Sequence, residues 1–277
     1  MCFDICAWRC KTLNIISENK FKNTANNIRK RIVQIGLTSD YKVVHYGGAL
    51  SIVEIITYAY LCYLRLKPHD FNNLKRDRFV LSKGHACLAQ YATLIELGFV
   101  DENDMVFEKN GSSFAGHPVI NRQKFIDFST GSLGNGLAYA IGSAISDKNR
   151  RVCCVIGDGE LAEGSIWESL RLIINFNLKN LLTFIDLNGF QQTGSTKEIN
   201  GEIDLYKVLS GFGFNVIKTN GHNVEGFLDL NERHLKLSKP TIIIAVTIKG
   251  FGIKSIENTL ESHHTILKNP IEIFKHA

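Results

Sequence analysis

Two short motifs, thirty positions apart, carry oxygen donors of the kind a hard cation needs. Gly157-Asp158-Gly159-Glu160-Leu161-Ala162-Glu163-Gly164 follows the apolar run 152–156, and Ile185-Asp186-Leu187-Asn188-Gly189 closes the apolar run 181–185. Between them Ile166, Leu170, Ile173 and Ile174 recur at helical spacing. The pattern predicts a strand–helix–strand unit whose strands are parallel neighbours joined by a right-handed crossover. Asp158 and Asn188 then emerge side by side at the carboxyl edge of a sheet, where open α/β proteins bind ligands. A carboxylate and an amide oxygen converging there suit a six-coordinate Mg²⁺ that keeps room for phosphate oxygens. Glycines at 157, 159 and 164 let the backbone turn sharply and approach a ligand. Glu163 has two readings, a carboxylate capping the helix start or a group projecting across a subunit contact, and spacing does not separate them.

Histidines form the second set. His45, His85, His117 and His222 each sit beside a glycine in a predicted loop, and His263 and His264 form a pair. Several imidazoles at strand ends and glycine turns of one sheet are expected to converge on its carboxyl edge. There they suit phosphate contacts and proton transfer to hydroxyl and carbonyl oxygens near neutral pH. Their spacing is not that of zinc proteases or zinc deaminases. His69, His234 and His276 read as surface residues. Gly131-Ser132-Leu133-Gly134-Asn135-Gly136 does not spell a dinucleotide fingerprint, and no acidic residue ends the next strand. It fits either a platform for a phosphate or heterocycle or close helix packing.

These groups need a scaffold. Residues ~11–38 read as a helix with Ile28, Ile32 and Ile35 or Val33 on one face. A loop from Asp40 to Leu50 follows, then a helix capped by Ser51, running to about Leu66 and stopped by Pro68. A strand at 79–81 leads into Ser82-Lys83-Gly84-His85 and a helix from Ala86 to about Leu97. Residues 101–130 are loop-rich, 137–146 are helical, and a last strand at 241–247 precedes Lys249-Gly250-Phe251-Gly252. Alternating strands and helices predict one doubly wound, mostly parallel α/β domain with helices on both faces, spanning 1–277 with an N-terminal extension or helix over 1–20.

A chain of 277 residues buries a full core, and 44% hydrophobic residues with a mean hydropathy of −0.02 are ordinary for a soluble protein. The net charge of +5 comes from 32 basic and 27 acidic residues scattered along the chain. Arg29-Lys30-Arg31 reads as a solvated helix face and not a nucleic-acid patch, since no basic stripe with interleaved aromatics accompanies it. Seven cysteines show no disulfide pattern. Cys153 and Cys154 fall inside a buried strand, and Cys2, Cys6 and Cys10 lack paired-metal spacing. Reduced thiols in a cytoplasm are expected, with no secretory signal and no membrane span, the stretch from Ile52 to Leu64 being short and interrupted by Glu54.

In this order the motifs resemble the N-terminal half of transketolase, a thiamine diphosphate enzyme, from about Ile28 to His263. They are His-Tyr-Gly-Gly-Ala-Leu-Ser at 45–51, Asp-Arg-Phe-Val-Leu-Ser-Lys-Gly-His at 77–85, Gly-His-Pro at 116–118, Ser-Thr-Gly-Ser-Leu-Gly-Asn-Gly at 129–136, Gly-Asp-Gly with Glu163-Gly164, Asp186-Leu187-Asn188 and Thr247-Ile248-Lys249-Gly250. The resemblance implies that Asp158, Asn188 and the Phe190 carbonyl hold Mg²⁺ (or Ca²⁺) on the cofactor diphosphate. It implies that His85 and His263 lie near the diphosphate and reacting centre, and that His45 and His117 contact the donor's hydroxyl groups. Gly131, Ser132 and Leu133 would line the cofactor, with Gly157 and Gly159 at its diphosphate and Glu163 in a carboxylate network between two active sites.

The sequence also departs from the family's usual pattern. Asn135 stands where many members have Gln, Leu187 replaces the first of two paired asparagines, Thr193 takes the place of a common Asp, and Ser262 replaces a Trp often found before the histidine. Single-chain transketolases continue into a pyrimidine-binding domain, which supplies the glutamate that activates the cofactor, and a C-terminal domain. Neither is present in this sequence, so the resemblance implies a second subunit carrying both, in an α₂β₂ assembly. The implied reaction is transfer of a two-carbon ketol unit from a ketose, usually phosphorylated, to an aldehyde. Rival expectations are delivery of that unit to a carrier protein or unusual acceptor, the α subunit of a 2-oxoacid dehydrogenase, and a non-catalytic binding module.

Overall fold

The computed structural model describes residues 16–41, 43–234 and 238–267. Cys2, Cys6, Cys10, His276 and most of the expected N-terminal extension lie outside the described residues. Helix α1 (Glu18–Leu37) begins where the Ser17 hydroxyl accepts the Lys20 amide at 3.3 Å, an N-cap that satisfies one of the orphan donors of the first turn. It buries Ile28, Ile32, Val33 and Ile35, the expected face. The adjoining basic cluster is not the solvated face that its composition suggests. Arg29 is buried against Glu54, and Arg31 pairs with Glu96 at 2.8 Å and Glu102 at 3.0 Å, because α1 is packed by other helices on that side.

The expected loop over 40–50 contains a helical turn, α2 (Tyr46–Leu50), and α3 (Val53–Tyr58) widens into a π turn over Ala59–Tyr63. Ser51 does not cap α3. Its hydroxyl lies 3.0 Å from the Gly48 carbonyl and 2.7 Å from Asp186 Oδ2, so a partner distant in sequence claims the proton.

The rest alternates: β1 (Arg78–Leu81), α4 (Cys87–Glu96), α5 (Asn135–Ser146), β2 (Val152–Gly157), α6 (Gly164–Asn175), β3 (Leu181–Leu187), α7 (Thr196–Asn200), α8 (Leu205–Phe212), β4 (Asn215–Asn220), α9 (Val224–His234) and β5 (Thr241–Val246). All five strands are parallel, in the order β1-β2-β3-β5-β4. Strand side chains alternate between two cores. Phe79, Cys153, Phe184 and Ile243 face α1, α3, α4 and α9, whereas Val80, Cys154, Ile185 and Ile244 face α5, α6 and α8. Burial on both faces explains why β2, β3 and β5 are near-continuous apolar runs. The doubly wound, mostly parallel expectation is met.

Sequence pattern places no element between 190 and 240, where α7, α8, β4 and α9 lie. β4 is an edge strand, only half-buried, and Lys218, Thr219 and Asn220 interrupt its apolar pattern. Among the described residues no helix is long and apolar enough to cross a membrane.

Candidate active site

Register fixes the edge. Gly157 on β2 lies opposite Asp186 on β3, and Leu187 lies opposite Val246 on β5, so Asp158, Asn188 and Thr247 leave the sheet together. Asp158 is buried; its Oδ1 accepts the Gly159 amide at 2.9 Å and its Oδ2 the Gly189 amide at 2.7 Å. The second bond ties the two motifs directly. Burial, and next the charge of Asp186, push the Asp158 carboxyl up to about 7 against the pull of those amides. A bound cation stabilises the ionised form of such a carboxyl. Asn188 turns its amide nitrogen to Asp186 Oδ2 at 2.8 Å and its oxygen to the Phe190 amide at 3.0 Å, leaving a lone pair of that oxygen unused.

Beneath Asn188 lies a buried ion pair that sequence motifs alone do not single out. Lys83 and Asp186 are in direct contact, and Asp186 also accepts from Ser51 and Thr247. Burial alone would raise the Asp186 carboxyl; the Lys83 ammonium, with Thr247 and Ser51, outweighs it and holds the group below the usual carboxylate range. The available signal is the lysine in Ser82-Lys83-Gly84-His85, since an ammonium followed by apolar helix needs a counter-ion once buried. Glu160 is a second anchor that spacing misses. It accepts from Ser82 Oγ at 2.6 Å and from the Gly134 and Gly157 amides at 2.9 Å each, joining the ends of β1 and β2 to the start of α5. The Gly157 and Gly159 amides are thus both committed to carboxylates of their own turn.

Five imidazoles gather in front of this edge. Ring centroids of His85, His117, His263 and His264 lie 5.9, 5.6, 5.2 and 4.6 Å from that of His45, and His264 stacks on it at 20°. Four of them are expected site residues; His264 enters the sequence only as half of a pair. His85 stands on the turn Gly84–Ala86, His45 begins α2, and His263 ends the turn Glu261–His263. Among the described residues no three His, Cys, Asp or Glu side chains are arranged to hold a metal ion. Burial, then neighbouring imidazoles, lower His45 to about 3; burial, then Lys249 and Lys83, lower His263 to about 4; burial and Lys83 depress His85 well below its ordinary value. Near pH 7 these rings are therefore neutral, each with one donor and one acceptor.

A stability consequence follows from the sign of those shifts. The unfolded chain protonates these histidines near pH 6.5 and the folded chain does not, so stability is full above that value and falls as pH drops toward about 4. Each depressed histidine steepens the fall by up to about tenfold in the unfolding constant per pH unit. Denaturant titrations at a series of acid pH values should show this slope, and His45→Asn should flatten it. An unchanged slope would contradict the buried, neutral cluster.

His222 does not join the cluster, contrary to expectation. It leaves the carboxyl end of β4, yet its Nδ1 lies 3.0 Å from Glu54 Oε2 and its Nε2 accepts the Ile248 amide at 2.8 Å. That fixes the proton on Nδ1. The ring stacks 3.7 Å from Phe251, so His222 braces the segment after β5 from behind. Lys249, on that segment, is buried; burial, then Lys83, lower it to about 8, and its ammonium donates to the Gln191 carbonyl at 3.2 Å.

Gly131, Ser132 and Leu133 are exposed on the loop before α5, where Gly131 and Gly134 have φ of 146° and 82°. The Thr130 hydroxyl and the Gln191 amide nitrogen are buried with no hydrogen-bond partner among the described residues. Gln191 lies beside Gly159, where a Cβ would come within 3.2 Å of it. Unmatched donors, a buried ammonium and oxygen ligands at one sheet edge fit an anionic ligand bridged by a hard cation. Glu163 takes the N-cap position of α6, where the helix dipole favours an anion, but its exposed side chain makes no capping hydrogen bond.

Known proteins resemble this chain in sequence and fold. The family described as "Transketolase, thiamine diphosphate binding domain" matches residues 21–276. A protein of Actinobacillus succinogenes, named as one of the subunits of an apulose-4-phosphate transketolase, is 35% identical over 258 residues, 91% of this chain and 93% of that protein. Human transketolase is 38% identical over 252 residues, 88% of this chain but only 39% of its own length. The structure of transketolase from Leishmania mexicana superposes with a TM-score of 0.79 at 28% identity, covering 90% of this chain and 39% of that one. These relatives are transferases.

Proposed function

The chain belongs to the transketolase family of thiamine diphosphate-binding domains, and from that premise we propose that it is the diphosphate-binding subunit of a two-subunit, Mg²⁺-dependent transketolase. Asp158, the Asn188 side-chain oxygen and the Phe190 carbonyl are the groups that would hold the cation. When bound, thiamine diphosphate supplies the nucleophilic carbon that carries a two-carbon ketol unit from donor to acceptor. The observation that carries the reading is the joining of two sites: Lys83-Gly84-His85 links the Asp158–Asn188 edge to the imidazole cluster, since Lys83 pairs with Asp186 while His85 packs against His263 at 5.0 Å.

In this reading the neutral histidines do the proton work on substrate. His45 and His117 hydrogen-bond donor hydroxyl groups, and His85 and His263 take and return protons at the reacting oxygens. Lys249 and the unmatched Gln191 and Thr130 groups favour an anionic diphosphate. Gly131, Ser132 and Leu133 form the exposed wall on which the cofactor lies. The free Glu163 carboxylate faces a subunit contact. A near-complete match to a relative that is itself named as one part of a multi-chain transketolase supports a separate partner chain. That partner would carry the pyrimidine-binding and C-terminal domains in an α₂β₂ assembly. The same relatives' names favour a phosphorylated ketose as donor.

Calorimetric titration of thiamine diphosphate into the chain and its partner, with Mg²⁺ and with a chelator, tests the reading. Binding that requires the cation is expected; no binding with both chains folded would overturn it. A second expectation concerns Gly48, where an added Cβ would stand 2.7 Å from His85 Nε2. Gly48→Ala should push the ring aside and lower kcat/KM by about 10²-fold, the cost of an ångström's misplacement, while leaving cofactor affinity within a few-fold. Steady-state assays of the reconstituted enzyme would read both.

A further inference from the structure

The proposed cation ligand Asn188 has a side chain whose two ends look alike, and only one of them binds a metal. Its orientation is set by what each end faces. The nitrogen lies 2.8 Å from Asp186 Oδ2, which as a carboxylate only accepts, and the oxygen lies 3.0 Å from the Phe190 amide, which only donates. Asp186 is itself held on several sides. It is wholly buried and held by Lys83 from the end of β1, Ser51 from the end of α2 and Thr247 from the end of β5. One carboxylate therefore collects three separate segments and presents an acceptor to Asn188.

We propose that Asp186 is the positioning residue of the metal site: by accepting from Asn188 Nδ2 it fixes the amide so that Oδ1 faces the cation, with Lys83 serving to keep that carboxylate buried. The inference rests on the reading of Asp158, Asn188 and Phe190 as Mg²⁺ ligands, and deepens it. Asp186 is not itself one of the proposed cation ligands; its partners are Lys83, Ser51, Asn188 and Thr247. Partners that orient metal ligands in this way are worth 10–100-fold in metal affinity.

The test removes charge from the comparison. Two double variants of the full chain are made, Lys83→Met/Asp186→Leu and Lys83→Met/Asp186→Asn. Both replace the ion pair by neutral side chains, the Leu variant with an apolar pair of the kind that substitutes for buried charges; they differ in whether position 186 still offers an acceptor to Asn188. Mn²⁺ serves as the probe, its free concentration followed by electron paramagnetic resonance in the presence of thiamine diphosphate and the partner chain. Thermal melts establish that each variant is folded.

The Asn variant should bind Mn²⁺ within a few-fold of wild type, and the Leu variant about 10–100-fold more weakly. Ser51→Ala and Thr247→Val, which remove hydrogen bonds to the same carboxylate without touching Asn188, should each change affinity by less than about threefold. Equal affinity of the two double variants overturns the inference, as does equal loss in both, which would make the charge and not the acceptor the essential feature. A wild type that binds no Mn²⁺ with the cofactor would instead defeat the metal-site reading beneath it.

Discussion

Asp158→Ala is expected to abolish cation-dependent cofactor binding while leaving the fold in place. Asp158 contributes the one carboxylate at the sheet edge that faces both the Gly159 and Gly189 amides. Its removal withdraws an anionic ligand and loosens the turn after β3 that bears Asn188 and Phe190. Loss of one charged partner in a buried site costs about 3–5 kcal/mol, which is on the order of 10²–10⁴-fold in affinity. Stability moves the other way. In the absence of a cation Asp158 is a buried carboxyl driven up to about 7 by burial and by Asp186, so its removal relieves an unfavourable charge at neutral pH. The expected signature is thus a melting temperature equal to or above wild type without ligand, and no further rise when Mg²⁺ and thiamine diphosphate are added. A variant that melts lower and still gains stability from the cofactor would contradict the assignment.

Lys83→Met should be the most damaging single change to stability near the site. It leaves the Asp186 carboxylate wholly buried with only hydroxyl and amide partners. Breaking a buried pair in this way costs about 3–5 kcal/mol, more than an exposed pair such as Lys197–Glu202 could contribute. Denaturant unfolding should show a lower midpoint with unchanged slope. Adding Asp186→Leu should restore much of the loss, because two apolar groups of similar size replace two charges. A single variant as stable as wild type would mean that water reaches Asp186 and that the pair is not buried.

The elements most legible in the sequence are those whose burial is uniform. β2, α6 and β3 can be read from apolar runs and helical spacing, and their register is enough to place Asp158 beside Asn188. The histidines at 45, 85 and 117 are legible because each adjoins a glycine turn. Three features are not. β4 is an edge strand carrying Lys218 and Thr219, so neither a buried nor an alternating pattern marks it. Arg29 looks like surface charge because Glu54, its partner, lies 25 residues away on another helix. His222 looks like a member of the cluster because its loop resembles theirs; only the bonds to Glu54 and Ile248 reveal a brace. In each case the deciding contact is long-range, and local composition does not encode it.

In the proposed function this chain is one half of an active site, holding cation and diphosphate while another chain completes the chemistry. The direct measurement is a coupled assay of ketol transfer from a ketose phosphate to an aldehyde, run with thiamine diphosphate and Mg²⁺ on this chain alone, on its partner alone and on the mixture. Transfer is predicted only in the mixture, and is lost when Asp158→Ala replaces wild type. Full activity from either chain alone, or none from a mixture in which both are folded, would contradict it.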